Sequence, residues 1–213
     1  VGFEMKHDWK KQEKELYIPK SKPEIVTVPA FKFFMINGQG NPNDAPFSDA
    51  VGVLYSLAYA VKMLPKKGLT PEGYFDYSVY PLEGVWDLPE ECQTLDILDK
   101  NNLIYTIMIR QPDFVTNELA HEVIRSVKLK KPHVLLDSVV FNNIEEGLCV
   151  QMLHIGLYDE EPKTFSIMEE YCSQRNIKRK SKNHREIYIS DARKTDANKL
   201  KTVLRYEIAR DTN

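Results

Sequence analysis

The chain has 213 residues and a formal net charge of −2, from 29 Lys and Arg against 31 Asp and Glu. That length buries a full core as one large domain or two fused small ones, and the near-neutral balance argues against a general nucleic-acid binder, which normally carries a basic surplus. Three scattered cysteines, Cys92, Cys149 and Cys172, form no CxxC pair, so the composition points to neither a disulfide framework nor a zinc site and fits a reducing cytosol.

Val1-Gly-Phe-Glu ahead of Met5 reads as the scar of an expression vector, and the rest of residues 1–22 as a polar arm or short helix anchored by Trp9 and Tyr17. The lysine-rich segment has no apolar signal-peptide core, and the apolar helix at 51–64 falls short of the ~20 residues a bilayer span needs. A soluble, cytoplasmic protein with no membrane partner is expected.

Residues 25–36 are rich in β-branched and aromatic side chains and predict a strand that ends at the turn Asn37-Gly-Gln-Gly-Asn-Pro. This run lacks the spacing of a phosphate loop. Phe47, Val51, Leu54, Ala58 and Val61 recur at helical steps, closed by Pro65 and Gly68, with Tyr55 and Tyr59 on a neighbouring face. Residues 74–86 predict a second strand, broken by Pro81 and Gly84. A bulge at Gly84 would bring Glu83 and Trp86 to the same side. Residues 103–110 form a third strand. Residues 113–131 form a helix with acids early and lysines late, the charge order that suits its dipole, and act as a connector.

Residues 134–141 read as a strand or an irregular link, and 148–158 as a strand. A helix follows from about Pro162, with Phe165, Met168 and Cys172 on one stripe. The basic run 178–185 is a solvated loop rather than an RNA site. The strand 184–190 alternates, with Ile187 and Ile189 on one face and Glu186, Tyr188 and Ser190 on the other; a last strand spans 201–208.

Two copies of one β-α-β-β unit emerge. A shift of 118 residues lays Gly156 on Gly38, and a shift of 103 lays Glu186 on Glu83. The expected fold is α+β: duplicated units at about 25–110 and 134–209 within one domain from residue 23, related by a pseudo-two-fold axis. An antiparallel sheet carries helices on one side and a ligand cleft between the halves.

Within that cleft Glu186 and Glu83 are the candidate acids. A carboxylate desolvated by aromatic walls has a raised pKa and can exchange protons with water or a leaving group. If the polar face of 184–190 is instead solvated, it is the ordinary outer face of a sheet. His154 is either a hydrogen-bonded structural residue or a ligand contact. No histidine pair falls at metal spacing, so neither a metal nor a cofactor is expected, and nothing favours a thiol nucleophile. Eleven tyrosines, with both tryptophans beside acids, suit a flat hydrophobic aromatic or cationic ligand.

PLEGVW at 81–86, HIGxYDEEP at 154–162 and HREIYISD at 184–191 resemble the GyrI-like small-molecule-binding family over nearly all of the chain after about residue 20. The resemblance implies two βαββ units around a central cleft, with a strand glutamate, here Glu186, facing the ligand. Residues 1–22 are too few for the DNA-binding domain that precedes such modules in regulators. The chain thus looks like the stand-alone branch, some members of which resemble hydrolases that open the cyclopropane of cyclopropanoid genotoxins. On that reading Glu186 is the base, Tyr188 positions or donates, Trp86, Tyr55 and Tyr158 are walls, and Glu83 is a second polar contact. Alternatives are a binding module that sequesters or senses aromatic or cationic drugs, and an interaction protein with an empty groove.

Overall fold

The computed structural model describes residues 6–88 and 99–210. The expected vector scar at 1–4 and Cys92 lie outside the described residues. Seven strands run in the order β4-β1-β3-β2-β6-β7-β5, and β7 returns to pair with β4, closing six of them into a ring. They are β1 (Glu24–Gln39), β2 (Leu82–Asp87), β3 (Ile104–Gln111), β4 (Val140–Ile155), β5 (Ile177–Arg179), β6 (His184–Tyr188) and β7 (Lys201–Arg210). Every pairing between them is antiparallel. Among the described residues, five α-helices accompany them: α1 (Trp9–Gln12), α2 (Lys14–Tyr17), α3 (Ala45–Lys62), α4 (Asn117–Lys130) and α5 (Glu161–Ser173).

The duplication is real. The first half pairs β1-β3-β2 and the second β4-β7-β6, and the two seams join like to like, β1 with β4 and β2 with β6. The α3 and α5 helices are equivalent crossovers, each between the first and second strands of its unit. Burial holds both in place. From α3, Ala50, Val53, Leu54, Leu57, Ala58 and Val61 form a fully apolar stripe, and each large side chain so buried contributes roughly 1.5–3 kcal/mol. The α5 stripe is Glu161, Thr164, Met168 and Cys172. Its first member is a carboxyl.

Several expectations are corrected. The strand expected over 74–86 is only β2, because Pro81 has no N–H for a ladder and the tyrosine-rich stretch before it packs against the arm. There Tyr77 and Tyr80 are buried, joined to the arm by a bridge between His7 and Tyr77. No bulge interrupts β2: Glu83, Gly84, Val85 and Trp86 pair in unbroken register with Met108, Ile107, Thr106 and Tyr105. Glu83 and Trp86 therefore face opposite sides. Residues Val134–Ser138 form a 3-10 turn before β4 starts. The first strand runs past the predicted turn at Asn37, because the Tyr105 ring lies directly over Gly38, where a Cβ would sit 2.4 Å from it.

The arm is structural rather than peripheral. The Glu13 carboxylate meets Arg110 at 2.5 Å, the Leu16 carbonyl accepts from Arg205 at 2.8 Å, and Trp9 and Tyr17 are buried as expected.

Candidate functional site

The β2–β6 seam has two faces with different chemistry. Antiparallel register puts Gly84 opposite Glu186 and Trp86 opposite His184, whereas Glu83 pairs with Ile187 and Val85 with Arg185. Alternation then assigns Gly84, Trp86, His184, Glu186 and Tyr188 to the helix side, and Glu83 and Arg185 to the inside of the ring.

On the inner face each charge is paired. Arg185 donates to Glu83 at 2.9 Å and lies 3.0 Å from Glu146. Arg205 donates to Glu146 at 2.9 Å and to Gln151 at 2.9 and 3.1 Å. Burial opposes the charge on Glu146, but the two guanidiniums prevail and hold its carboxyl below the usual range. Burial pushes Glu83 up, and Arg185 offsets part of that. Glu83, expected in the cleft beside Glu186, is 2 % exposed and belongs to this buried network. The reason is the unbroken register of β2.

On the helix side, Glu186 is 9 % exposed and both its oxygens are held. His184 Nε2 lies 2.8 Å from Oε1, and the Tyr188 hydroxyl donates to Oε2 at 2.7 Å. The Trp86 indole N–H in turn donates to the Tyr188 oxygen at 2.8 Å. Gly84 makes this chain possible, since a Cβ there would stand 2.8 Å from the indole nitrogen. Burial, and then the Glu186 carboxylate, raise the Tyr188 phenol well above its ordinary range, so it stays a donor.

Aromatic rings flank the pair from both halves. Phe47 of α3 stacks on Trp86 with centroids 5.7 Å apart and meets Tyr105 edge-on. On the other side the Tyr158 ring stands edge-on to Tyr188 at 6.1 Å, and Phe165 of α5 stands edge-on to His184 at 4.7 Å. Tyr55 is half-buried on α3, with its hydroxyl at the Leu82 backbone and its pKa raised by burial. The β2–β6 seam thus lies between the two helices, reached by Phe47 of α3 from one side and Phe165 of α5 from the other.

The structure brings together Glu186, Tyr188, Trp86 and Tyr158, with Tyr55 beside them, and separates Glu83 and His154. The His154 ring is buried and spent on the protein, Nδ1 on the Thr164 hydroxyl at 2.8 Å and Nε2 on the Leu157 carbonyl at 2.9 Å. It fixes the start of α5 rather than facing a ligand. Sequence reasoning missed His184, Phe47 and above all Glu161. Glu161 is buried beside Glu186, and its own carboxyl is pushed far up by burial first and by the Glu186 charge second. The helical spacing of Glu161, Thr164, Met168 and Cys172 was the available signal.

Among the described residues, no helix is long and apolar enough to cross a membrane, and no group of three His, Cys, Asp or Glu side chains is placed to hold a metal ion.

No curated protein matches the chain. Among solved structures it is similar to an uncharacterized conserved protein from Listeria innocua, at 39 % identity and a TM-score of 0.88, with 96 % of this chain and 100 % of that one covered. Two hydrolases from the same organism align over the same shares, one at 37 % identity and TM-score 0.88, the other at 36 % and 0.86. The model of the GyrI-like small molecule binding domain matches residues 21–207. The chain belongs to the GyrI-like family.

Proposed function

We propose that the protein hydrolyses electrophilic cyclopropanes conjugated to a carbonyl, as found in cyclopropanoid genotoxins, with Glu186 as general base. The observation that carries this reading is the Glu186 carboxylate, buried on the helix side of the β2–β6 seam and held by His184 and Tyr188 between aromatic rings. The likeness to two Listeria innocua hydrolases supports it.

The chemistry asks little of the protein because the ring is strained. A water oxygen bonds to the cyclopropane carbon while the ring C–C bond breaks, and its electron pair moves into the conjugated carbonyl. Glu186 takes the proton the water loses. Tyr188 is a positioning residue: its hydrogen is committed to Glu186, and Trp86 fixes its oxygen. Trp86, Tyr158 and Tyr55 present faces and edges on which a flat substrate can stack.

One observation favours a second reading, a non-catalytic binder or sensor of cationic aromatic drugs. Both Glu186 oxygens are already engaged, an arrangement that also suits a fixed counter-charge.

Glu186→Gln separates the two. For the hydrolase, turnover of excess cyclopropanoid substrate drops roughly 10²- to 10⁴-fold while binding is largely kept. For the binder, the parent stops at one equivalent and the variant loses affinity for cationic ligands. Parent-like turnover by Glu186→Gln sinks the proposed role of Glu186.

A further inference from the structure

We infer that Glu161 and Glu186 form a carboxyl pair that holds one proton between them, in which Glu161 is the acid that protonates the ring-opened product. The shared proton stands on the burial and placement of the two side chains, and its catalytic use rests on the hydrolase reading above.

Four observations meet here. The two side chains are 7 % and 9 % exposed, and the residues flanking Glu161 bracket Glu186: Tyr158 meets Tyr188 and Phe165 meets His184, the two groups that hold the Glu186 carboxylate. Two carboxyls buried together are stable only when one is protonated. Glu161 Oε1 is buried and receives no hydrogen bond from any donor, which disfavours a charged carboxylate there. Among the described residues, no ion pair joins a Lys or Arg to either carboxyl. The groups that face the pair are His184 and Tyr188 from β6, Tyr158 and Asp159 from the turn before α5, and Asp191 from the loop after β6, whose charge reaches Tyr158. His184 is the one of these able to carry positive charge, and it is bound to Glu186. Finally, Glu161 sits in the first turn of α5, where the helix dipole favours a carboxylate. Burial and the neighbouring charge override that preference.

The pair makes hydrolysis balance without help from solvent. As water adds to the cyclopropane carbon, its proton passes to Glu186. The electron pair released from the ring C–C bond reaches the conjugated carbonyl oxygen, which takes the proton of Glu161. The pair is left with the proton on the other member, and one transfer between Glu186 and Glu161 restores the starting state.

The test combines infrared spectroscopy, unfolding and turnover on the parent and Glu161→Gln. The parent should show the carbonyl stretch of a protonated carboxylic acid at neutral pH, absent from Glu161→Gln; a parent without that band overturns the shared proton. Because the folded-state pKa of Glu161 is raised above its unfolded value, its contribution to stability is complete below about pH 4.5 and fades toward about pH 10. The melting temperature of the parent should therefore fall between about pH 5 and about pH 9, and that of Glu161→Gln should not follow it. The amide keeps a donor to Glu186 but has no proton to give, so turnover should drop roughly 10²-fold with binding kept. Parent-like turnover by Glu161→Gln overturns the catalytic use while the infrared band decides the pairing. A parent that turns over no cyclopropanoid at all fails the hydrolase reading, and the catalytic use with it; the band still decides the pair.

Discussion

The two faces of the β2–β6 seam hold the same kind of residue in opposite conditions. Inside the ring, Glu83 and Glu146 are matched by Arg185 and Arg205, and the network spreads onto Gln151 and the Leu16 carbonyl. On the helix side, Glu186 and Glu161 lie together with no guanidinium paired to them among the described residues, and Glu161 Oε1 receives no hydrogen bond. Neighbouring positions of one strand, Arg185 and Glu186, thus meet different conditions: the first is tied into a buried ion-pair network, and the second is the base of the proposed reaction. Opposite charge makes a buried carboxylate inert; withholding it keeps a proton in play.

Removing Arg205 should have the largest effect. Arg205→Ala strands Glu146 on Arg185 alone and leaves Gln151 and the Leu16 carbonyl without a donor; loss of a buried partner costs about 3–5 kcal/mol of stability. Urea unfolding measures it. If Arg205→Ala costs no more than Glu186→Gln, the inner face is not the structural one. A smaller effect sharpens the outer face. Gly84→Ala should displace the indole and break the Trp86–Tyr188 bond, costing about 1–3 kcal/mol of stability. Quenching of the Trp86 fluorescence by a bound aromatic ligand should weaken with it, and an unchanged titration would mean that the indole does not set the groove. The smallest effect concerns His154. Thr164→Val removes one buried hydrogen bond, worth roughly 1 kcal/mol. If His154 only fixes α5, ligand affinity in that variant stays within about twofold while the melting temperature falls by a few degrees.

The duplication was legible because each unit repeats the same order of strand and helix signals, and because Ile187 and Ile189 alternate cleanly with Glu186 and Tyr188. The inner network was not. Alternation separates a buried face from a wet one, but a closed ring under helices buries both, so Arg185, Arg205 and Gln151 look like surface residues. Arg185 was even grouped with a solvated basic loop. The side to which Glu83 points hung on whether Gly84 makes a bulge, and a single glycine does not announce that; the cross-strand register does. Glu161 was hidden in an acidic run, Asp159-Glu160-Glu161, that reads as an exposed helix start. Only its helical phase with Thr164 and Met168 marks it as inward-facing.

The closed ring also sets the order in which this molecule can come into being. Its seams pair residues far apart in the chain, Glu24 with Gln151 and Glu83 with Ile187, and β7 must reach both β4 and β6. Such non-local pairing has to overcome loop-closure entropy before contacts reward it, which places folding in the range of ~milliseconds to seconds rather than microseconds. Half of the β2–β6 seam comes from each unit, so a molecule in which only the first unit has folded exposes the Trp86 face without its carboxylates. On the proposed reading, ligand recognition is therefore a property of the closed ring and of neither unit by itself.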